Sequence, residues 1–370
     1  MELDIFGSQG IIINESVFSP YYVPPTLVAR EKQLLQLGKV LRPALFYQRP
    51  MNIYIYGPKG SGKTVTVRYV LQLLKEKAER IHVVYCTCSE TNTFYKFIYL
   101  LAKHFRPEIS KISSAEALEI IRQCCRPLTL VVIDDIHTLS SRKELNSIVF
   151  WSSRTELPLS FIYVAAKDIT PRLEEDTLSS FKMNLYQIYF GPYTANELYQ
   201  ILTQRAKLGL KEGSYDDSVL RKIAAIVAKK SGDAREAIEI LHYSAKIAEE
   251  EGDNKIKPEY VDRAINEIEY GYWINKIKSL PPTLKYIVLS YIQARRSGKQ
   301  PVTTGEAYHL FYKQLAPNPI SYYWFSKYTT YLISEEILEV VRREGNKRFI
   351  NINIPDEVLG EIEKIIEGEL

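Results

Sequence analysis

The residues best suited to chemistry lie in two short runs, GPKGSGKT at 57–64 and LVVIDDIH at 130–137. In the first, Gly57, Gly60 and Gly62 let the backbone curl so that its N–H groups face an anion at a helix start. Pro58, Lys59, Ser61 and Val65 complete the loop positions that would line a nucleotide. Lys63 would reach the β- and γ-phosphates, and the Thr64 hydroxyl would help to hold Mg²⁺. In the second run an apolar strand ends in two acids. Asp134 is placed to complete the Mg²⁺ shell. Asp135 stands where a hydrolase of this class usually has glutamate, and its carboxylate is one methylene shorter. A base that polarises water depends steeply on geometry, so this pair predicts slow hydrolysis. The competing reading is that the two acids merely end a strand.

Two further residues belong to the candidate catalytic set. Lys167 follows the apolar run LSFIYVAA. It is either a polar group that orients water and reports on the γ-phosphate, or an exposed lysine after a strand. Arg235 sits in SGDAREAIEIL, where Ser231, Gly232 and Asp233 make a helix-start turn. An arginine in a helix's first turn opposes the helix dipole. That cost points to a ligand of negative charge, with a surface salt bridge as the alternative.

Elements must hold these residues together. MNIYIY, RIHVVYCTC (80–88), LTLVVIDDIH, LSFIYVAAKD (159–168) and YQIYF (186–190) read as buried strands separated by helical periodicity, the pattern of a parallel α/β sheet. After them, 195–268 reads as all-helical, opened by a Thr194/Glu197 capping box. LPPTLKYIVLSYIQARRSG, TTGEAYHLFYKQLA (with Thr304 as cap) and SYYWFSKYTTYLISEE then give three helices. Two strands joined at Gly345 and Asn346 follow, which is the winged-helix order. The expected fold is therefore an α/β P-loop domain (1–192), a helical lid (193–273), a winged-helix domain (274–354) and an acidic C-terminal tail (355–370). In the third winged-helix helix, Trp324, Tyr328 and Leu332 are assigned to the core. Ser321, Tyr322, Ser326, Lys327 and Thr330 are the candidates to enter a DNA major groove, with Arg342, Arg343, Lys347 and Arg348 meeting phosphates from the wing. A winged helix used for protein contact is the alternative.

Charge placement agrees with a nucleic-acid partner. From Lys276 to Arg348 there are twelve Lys/Arg against five Glu, while the last 20 residues hold six acids and one lysine. No run of 18 apolar residues argues for a membrane span, and the start, MELDIFGSQG, does not read as a secretory signal. The four cysteines, as Cys86-x-Cys88 and Cys124-Cys125, lack zinc-knuckle spacing and are expected as free thiols in a reducing cytoplasm.

Taken together, the motifs resemble the archaeal Orc1/Cdc6 family of AAA+ ATPases, over roughly Phe18 to Ile354. YVPPTLVAREKQL (22–34), NIYIYGPKGSGKT, YCTCSETNTFYKF, FGPYTANELYQIL, GDAREAI and the closing LPPTLK…GEAYHLFY run stand in that family's order. The resemblance implies Walker A roles for Lys63 and Thr64 and Walker B roles for Asp134 and Asp135. It gives Arg235 the second sensor role, places Val28 and Arg30 beside adenine, and has Tyr193 and Ile201 enclosing the base. It further implies bound ATP or ADP with Mg²⁺, double-stranded DNA at replication origins, and a helical insertion near 106–125 that touches that DNA. Paralogous initiators and the replicative helicase are the implied partners, and the implied location is cytoplasmic, on the nucleoid. Three departures stand out: Asp135 for the family's glutamate, Lys167 for its asparagine, and DTLSSFKMN (176–184) without its arginine finger, for which Arg172 is the nearest substitute. They make the expected protein a nucleotide switch before a hydrolase. The alternative is a regulatory ATPase whose winged helix represses transcription or contacts protein.

Overall fold

The computed structural model describes residues 10–125 and 127–369; the expectation drawn from the MELDIFGSQG start falls on residues 1–9, outside them. The chain forms two compact units, one ending at Asp262 and the other beginning at Arg263.

The first unit is built on five parallel strands: β1 (Asn52–Tyr56), β2 (His82–Thr87), β3 (Thr129–Asp134), β4 (Leu159–Ala165) and β5 (Leu185–Tyr189), in the order β2-β3-β4-β1-β5. β3 and β4 are buried along their whole length, as apolar runs without alternation require. Alternate residues then serve opposite faces. Leu130, Val132, Ile162 and Val164 pack with helices α1 (Glu31–Leu41) and α2 (Lys63–Lys77) through Leu37, Leu41, Val67 and Leu71. Val131, Ile133, Phe161 and Tyr163 pack with α3 (Phe94–Phe105), α4 (Ser114–Cys124), α5 (Arg142–Arg154) and α6 (Glu175–Met183) through Leu101, Ile121, Ile148 and Phe181. The four cysteines are free thiols. No helix among the described residues is long and apolar enough to cross a membrane.

The lid follows as α7 (Ala195–Gly209), α8 (Asp217–Lys230) and α9 (Ala234–Glu250). Thr194 and Glu197 make the expected capping box at the start of α7. The lid also incorporates the start of the described chain. Ile13 and Asn14 donate their N–H groups to the Gly209 carbonyl, Ile12 donates to Glu249 Oε1, and Lys211 donates to Ile11 O. Buried Arg205 donates to the carbonyls of Val17 (2.7 Å) and Tyr22 (3.3 Å), and Phe18 stacks on His242. Residues 11–22 are thus a strap on the lid rather than part of the α/β domain to which 1–192 was assigned. No local pattern marks such pairing, because its partners lie 183 to 237 residues away.

The boundary between units falls inside α10 (Pro258–Lys278), not at 273/274, because Trp273 and Ile277 join the core of the second unit. That unit holds α11 (Pro282–Arg296), β6 (Val302–Thr303), a helix running as α12 (Thr304–Glu306), a π-helical segment Ala307–Tyr312 and α13 (Lys313–Leu315), then α14 (Tyr322–Ser334), β7 (Leu338–Glu344) and β8 (Lys347–Ile352). Its antiparallel sheet runs β6-β8-β7. Three expectations need correction here. The cap of α12 is Thr303, whose hydroxyl accepts from the Glu306 N–H in a capping box, while Thr304 is buried. The core seam of α14 is Phe325, Thr329 and Leu332, with Tyr328 half-buried against it; of the three residues assigned to the core, Leu332 is buried there and Trp324, 44% exposed, is not. The acidic tail is helix α15 (Asp356–Glu369), whose Val358, Leu359, Ile362 and Ile366 complete the core while its acids face outward or meet Arg295 and Arg296.

Candidate functional site

The 57–64 loop leaves β1 and enters α2 at Lys63, with Gly60 and Gly62 at φ +66° and +86°. A side chain would be strained there and would also collide: a Cβ on Gly62 would lie 2.2 Å from Tyr193 Oη, and one on Gly60 1.6 Å from Asp233 Oδ1. Lys63 is only 7% exposed, and its ammonium donates to the carbonyls of Gly57 (2.8 Å) and Pro58 (2.6 Å) and to Ser61 Oγ (3.3 Å). Burial pushes its pKa down to about 8, aided by the charge of Arg235 and opposed by Asp135, Asp134 and Asp233. Lys59 is exposed, and Pro58 and Val65 are half-buried around the loop.

The Walker-type acid is held by three donors. Thr64 Oγ1 lies 3.1 Å and 3.3 Å from the Asp134 carboxylate oxygens, the Asp135 N–H reaches Oδ1 at 3.0 Å, and the Tyr85 hydroxyl donates to Oδ2. Tyr85, under the guanidinium of Arg68, went unnoticed in the sequence because a tyrosine inside a strand reads as core. The Thr64 hydroxyl and the Asp134 carboxylate are a pair of hard oxygens of the kind that could hold Mg²⁺. A cluster of three or more His, Cys, Asp or Glu suited to a metal ion is absent among the described residues.

Asp135 has left-handed backbone (φ +55°) and a carboxylate 52% exposed. Aspartate tolerates that conformation better than glutamate does, which is a local reason for the shorter acid. Lys167 is exposed and makes no hydrogen bond or ion pair among the described residues. Arg172 is tied to the carbonyls of His137 (3.0 Å), Leu139 and Ser140 (3.4 Å), so its guanidinium serves its own chain and does not reach out as a finger.

From the lid, Asp233 caps α9 by accepting from the Arg235 N–H at 2.7 Å, and the Ala234 N–H donates to Gly60 O at 3.2 Å. The lid helix therefore begins on the phosphate loop. The Arg235 guanidinium is exposed, close enough to depress Lys63, and has no carboxylate partner among the described residues. The surface-salt-bridge reading falls away. Two cations converging on one loop repel each other and favour an anion between them.

Arg30 lies against the phosphate loop. It is buried and donates to the carbonyls of Ser61 (2.9 Å), Ala29 (3.1 Å) and Gly191 (2.8 Å), with its guanidinium 3.6 Å from the Tyr193 ring centroid and 3.6 Å from Glu197. A buried guanidinium needs its donors paired, and through these bonds Arg30 braces the phosphate loop from behind. Burial pushes the Tyr193 phenol up to about 12, keeping it neutral. Val28 is half-buried and Ile201 buried on α7.

In the second unit, the N-terminal half of α14 exposes Ser321, Tyr322, Tyr323 (68%), Trp324 and Lys327; Thr330 and Tyr331 are exposed further along, and Ser326 is half-buried. Lys327 Nζ lies 4.7 Å over the Trp324 ring. On the wing, Arg342 covers Phe349 and pairs with Glu344, Arg343 and Lys347 are exposed, and Arg348 donates to Thr330 Oγ1 at 3.0 Å, linking wing to helix. The wing turns at Gly345 (φ +57°) between Glu344 and Lys347. The exposed aromatics were hidden in the sequence because every face of α14 carries one.

The chain is similar to known proteins over most of its length. Residues 47–173 match the AAA domain model, and 199–266 match the Cdc6 AAA+ ATPase-type lid domain. The chain is 32% identical to the ORC1-type DNA replication protein 1 of Archaeoglobus fulgidus over 322 residues, 84% of this chain and 78% of the relative. Its structure is similar to that of the Aeropyrum pernix ORC1 protein in complex with DNA, with a TM-score of 0.84, 27% identity, and 98% and 100% of the two chains covered. Cdc6p from Pyrobaculum aerophilum is similar with a TM-score of 0.62, 28% identity, and 98% and 100% coverage.

Proposed function

The chain belongs to the archaeal Orc1/Cdc6 family of AAA+ ATPases, and we propose that it is a replication initiator in which bound nucleotide switches a protein that grips duplex DNA. The observation that carries this reading is the convergence of Lys63, the Thr64–Asp134 pair and Arg235 on one loop, in a chain that also carries a winged-helix unit with a basic wing. ATP with Mg²⁺ supplies the phosphoryl group and its charge. The protein's part is to cradle the phosphates on the N–H groups at the start of α2, with Thr64 and Asp134 holding the cation. Arg235, at the first turn of α9, connects that charge to the lid. Tyr193 and Ile201 offer apolar walls for the base, while Arg30 keeps the loop in shape.

Hydrolysis is slow in this reading. Asp135 is short and exposed, Lys167 is unanchored, and Arg172 is engaged within its own chain. The DNA contacts are Ser321, Tyr322, Ser326, Lys327 and Thr330 on α14 and Arg342, Arg343, Lys347 and Arg348 on the wing, with α4 as a second contact near 106–125. Paralogous initiators and the replicative helicase are the partners that bound DNA would gather, on the nucleoid. Mapping where the protein sits on its own genome tests the reading: enrichment at replication origins is expected, and binding confined to promoters would overturn it in favour of a transcriptional regulator. The aromatic face of α14 favours a second reading, protein contact by the winged helix. In that case duplex DNA would fail to compete with the protein partner for α14.

A further inference from the structure

His137 lies at the nucleotide site but has no part in the roles assigned so far. It sits in the short 3₁₀ turn Ile136–Thr138 that follows the two acids, and Ile136 beneath it is wholly buried, which fixes the turn. The imidazole is 13% exposed. Its Nδ1 accepts the backbone N–H of Ala166, the first residue beyond β4, at 3.1 Å. The same peptide unit is engaged at its other end, where Ala165 O accepts the N–H of Gly57 at 3.3 Å, the first residue of the phosphate loop. One peptide group therefore ties the imidazole to the loop, across the adjacent C-terminal ends of β3, β4 and β1. The backbone of His137 is held as well, because its carbonyl accepts from Arg172.

The chemistry of the ring follows from this anchoring. With Nδ1 accepting, a neutral imidazole carries its proton on Nε2 and presents it as a donor. The groups around the ring keep it neutral: burial lowers its affinity for a proton, Asp135 at 4.0 Å raises it, and Lys63, Lys59 and Lys167 lower it again. Nε2 has no hydrogen-bond partner among the described residues. The ring lies beside the phosphate loop, one peptide group away from the N–H of Gly57.

On the reading that the 57–64 loop binds a nucleoside triphosphate, we infer that His137 is the γ-phosphate-reporting residue of this chain, its Nε2–H offered to the terminal phosphate and its Nδ1 anchored on Ala166. Lys167 does not fill that role. Its side chain is exposed and unanchored, whereas a reporting group must be held by its surroundings so that a ligand contact is transmitted to them. Here the transmission is short, from the imidazole through one peptide to the start of the phosphate loop.

Two substitutions separate the halves of the ring. His137→Asn keeps an acceptor where Nδ1 lies and removes the distal donor; His137→Gln places an amide donor near the position of Nε2. Dissociation constants of the full chain for ADP and for a non-hydrolysable ATP analogue, with Mg²⁺, are the measurement. Melting temperatures near the wild type's establish that both variants fold. Losing a hydrogen bond to a charged phosphate should weaken analogue binding by about tenfold or more in His137→Asn, with ADP affinity unchanged. His137→Gln should keep the wild-type ratio of the two constants. A ratio lost in both variants or in neither, or an equal loss for ADP, overturns the inference. If the wild type binds neither nucleotide, it is the parent reading that fails.

Discussion

Lys63 and Arg343 carry the same charge under opposite conditions. Lys63 is buried, bonded to carbonyls of its own loop, and backed by glycines whose backbone no other residue adopts comfortably. Arg343 stands in solvent on a two-stranded wing, alongside Arg342 and Lys347. On the proposed reading the first arrangement would bind by fixed geometry in a low-dielectric setting, which is specific and resists salt. On the same reading the second would bind by neutralising a line of phosphates and releasing counterions, which is tolerant of register and salt-sensitive. One chain would thus hold a small ligand by preorganisation and a polymer by surface charge.

That contrast can be broken in four places. The largest effect belongs to Lys63→Ala, which should weaken ATP binding by at least about two orders of magnitude in a fluorescence titration. Retained affinity would show that the loop does not hold the phosphates. Within the second unit, Phe325→Ala removes a wholly buried ring and should cost about 3–5 kcal/mol in chemical denaturation. Its neighbour Trp324→Ala should change stability by no more than about 0.5 kcal/mol. Similar costs for the two would restore the seam inferred from sequence. Replacing Arg342, Arg343, Lys347 and Arg348 together by Ala should flatten the salt dependence of duplex binding, lowering the slope of log K against log salt by about 3–4. An unchanged slope would move the phosphate contacts elsewhere. Smallest is Asp135→Glu, for which we expect about a tenfold gain in single-turnover hydrolysis, or about 1.4 kcal/mol in the barrier. The left-handed backbone at that position should make the variant slightly less stable by melting. No gain would place the limit elsewhere, at Lys167 or the absent finger.

How much of this was legible beforehand depended on whether a signal was local. The strands and the phosphate loop were, since an apolar run, a glycine loop and a helix start are contiguous in the chain. The capping box at Thr194 was read correctly for the same reason. At α14 periodicity could not decide the register, because Tyr322, Tyr323, Trp324, Phe325, Tyr328 and Tyr331 leave no polar face to contrast with a core. In α15 the six acids of the last 20 residues obscured the apolar stripe that packs Ile362 and Ile366. Arg30 carries a charge that would normally sit in water, and partners remote in sequence, the carbonyls of Ser61 and Gly191, the Tyr193 ring and Glu197, explain why it is buried. His137 was invisible as a site residue until Ala166 was seen to anchor it.

The strap on the lid has a consequence in the order of manufacture. Ile12 must find Glu249, 237 residues later, and Val17 must find Arg205, 188 residues later. At ribosomal speeds of about 5–20 residues per second the two ends are separated by roughly 10–50 s of synthesis. For that interval Ile11, Val17 and Phe18, all buried in the folded unit, leave the ribosome ahead of the lid residues that cover them, while the sheet that follows is already being completed. The earliest of these residues to be made are among the last of their unit to become fixed, and an apolar N-terminal segment waits in the crowded cell for the helices that will bury it.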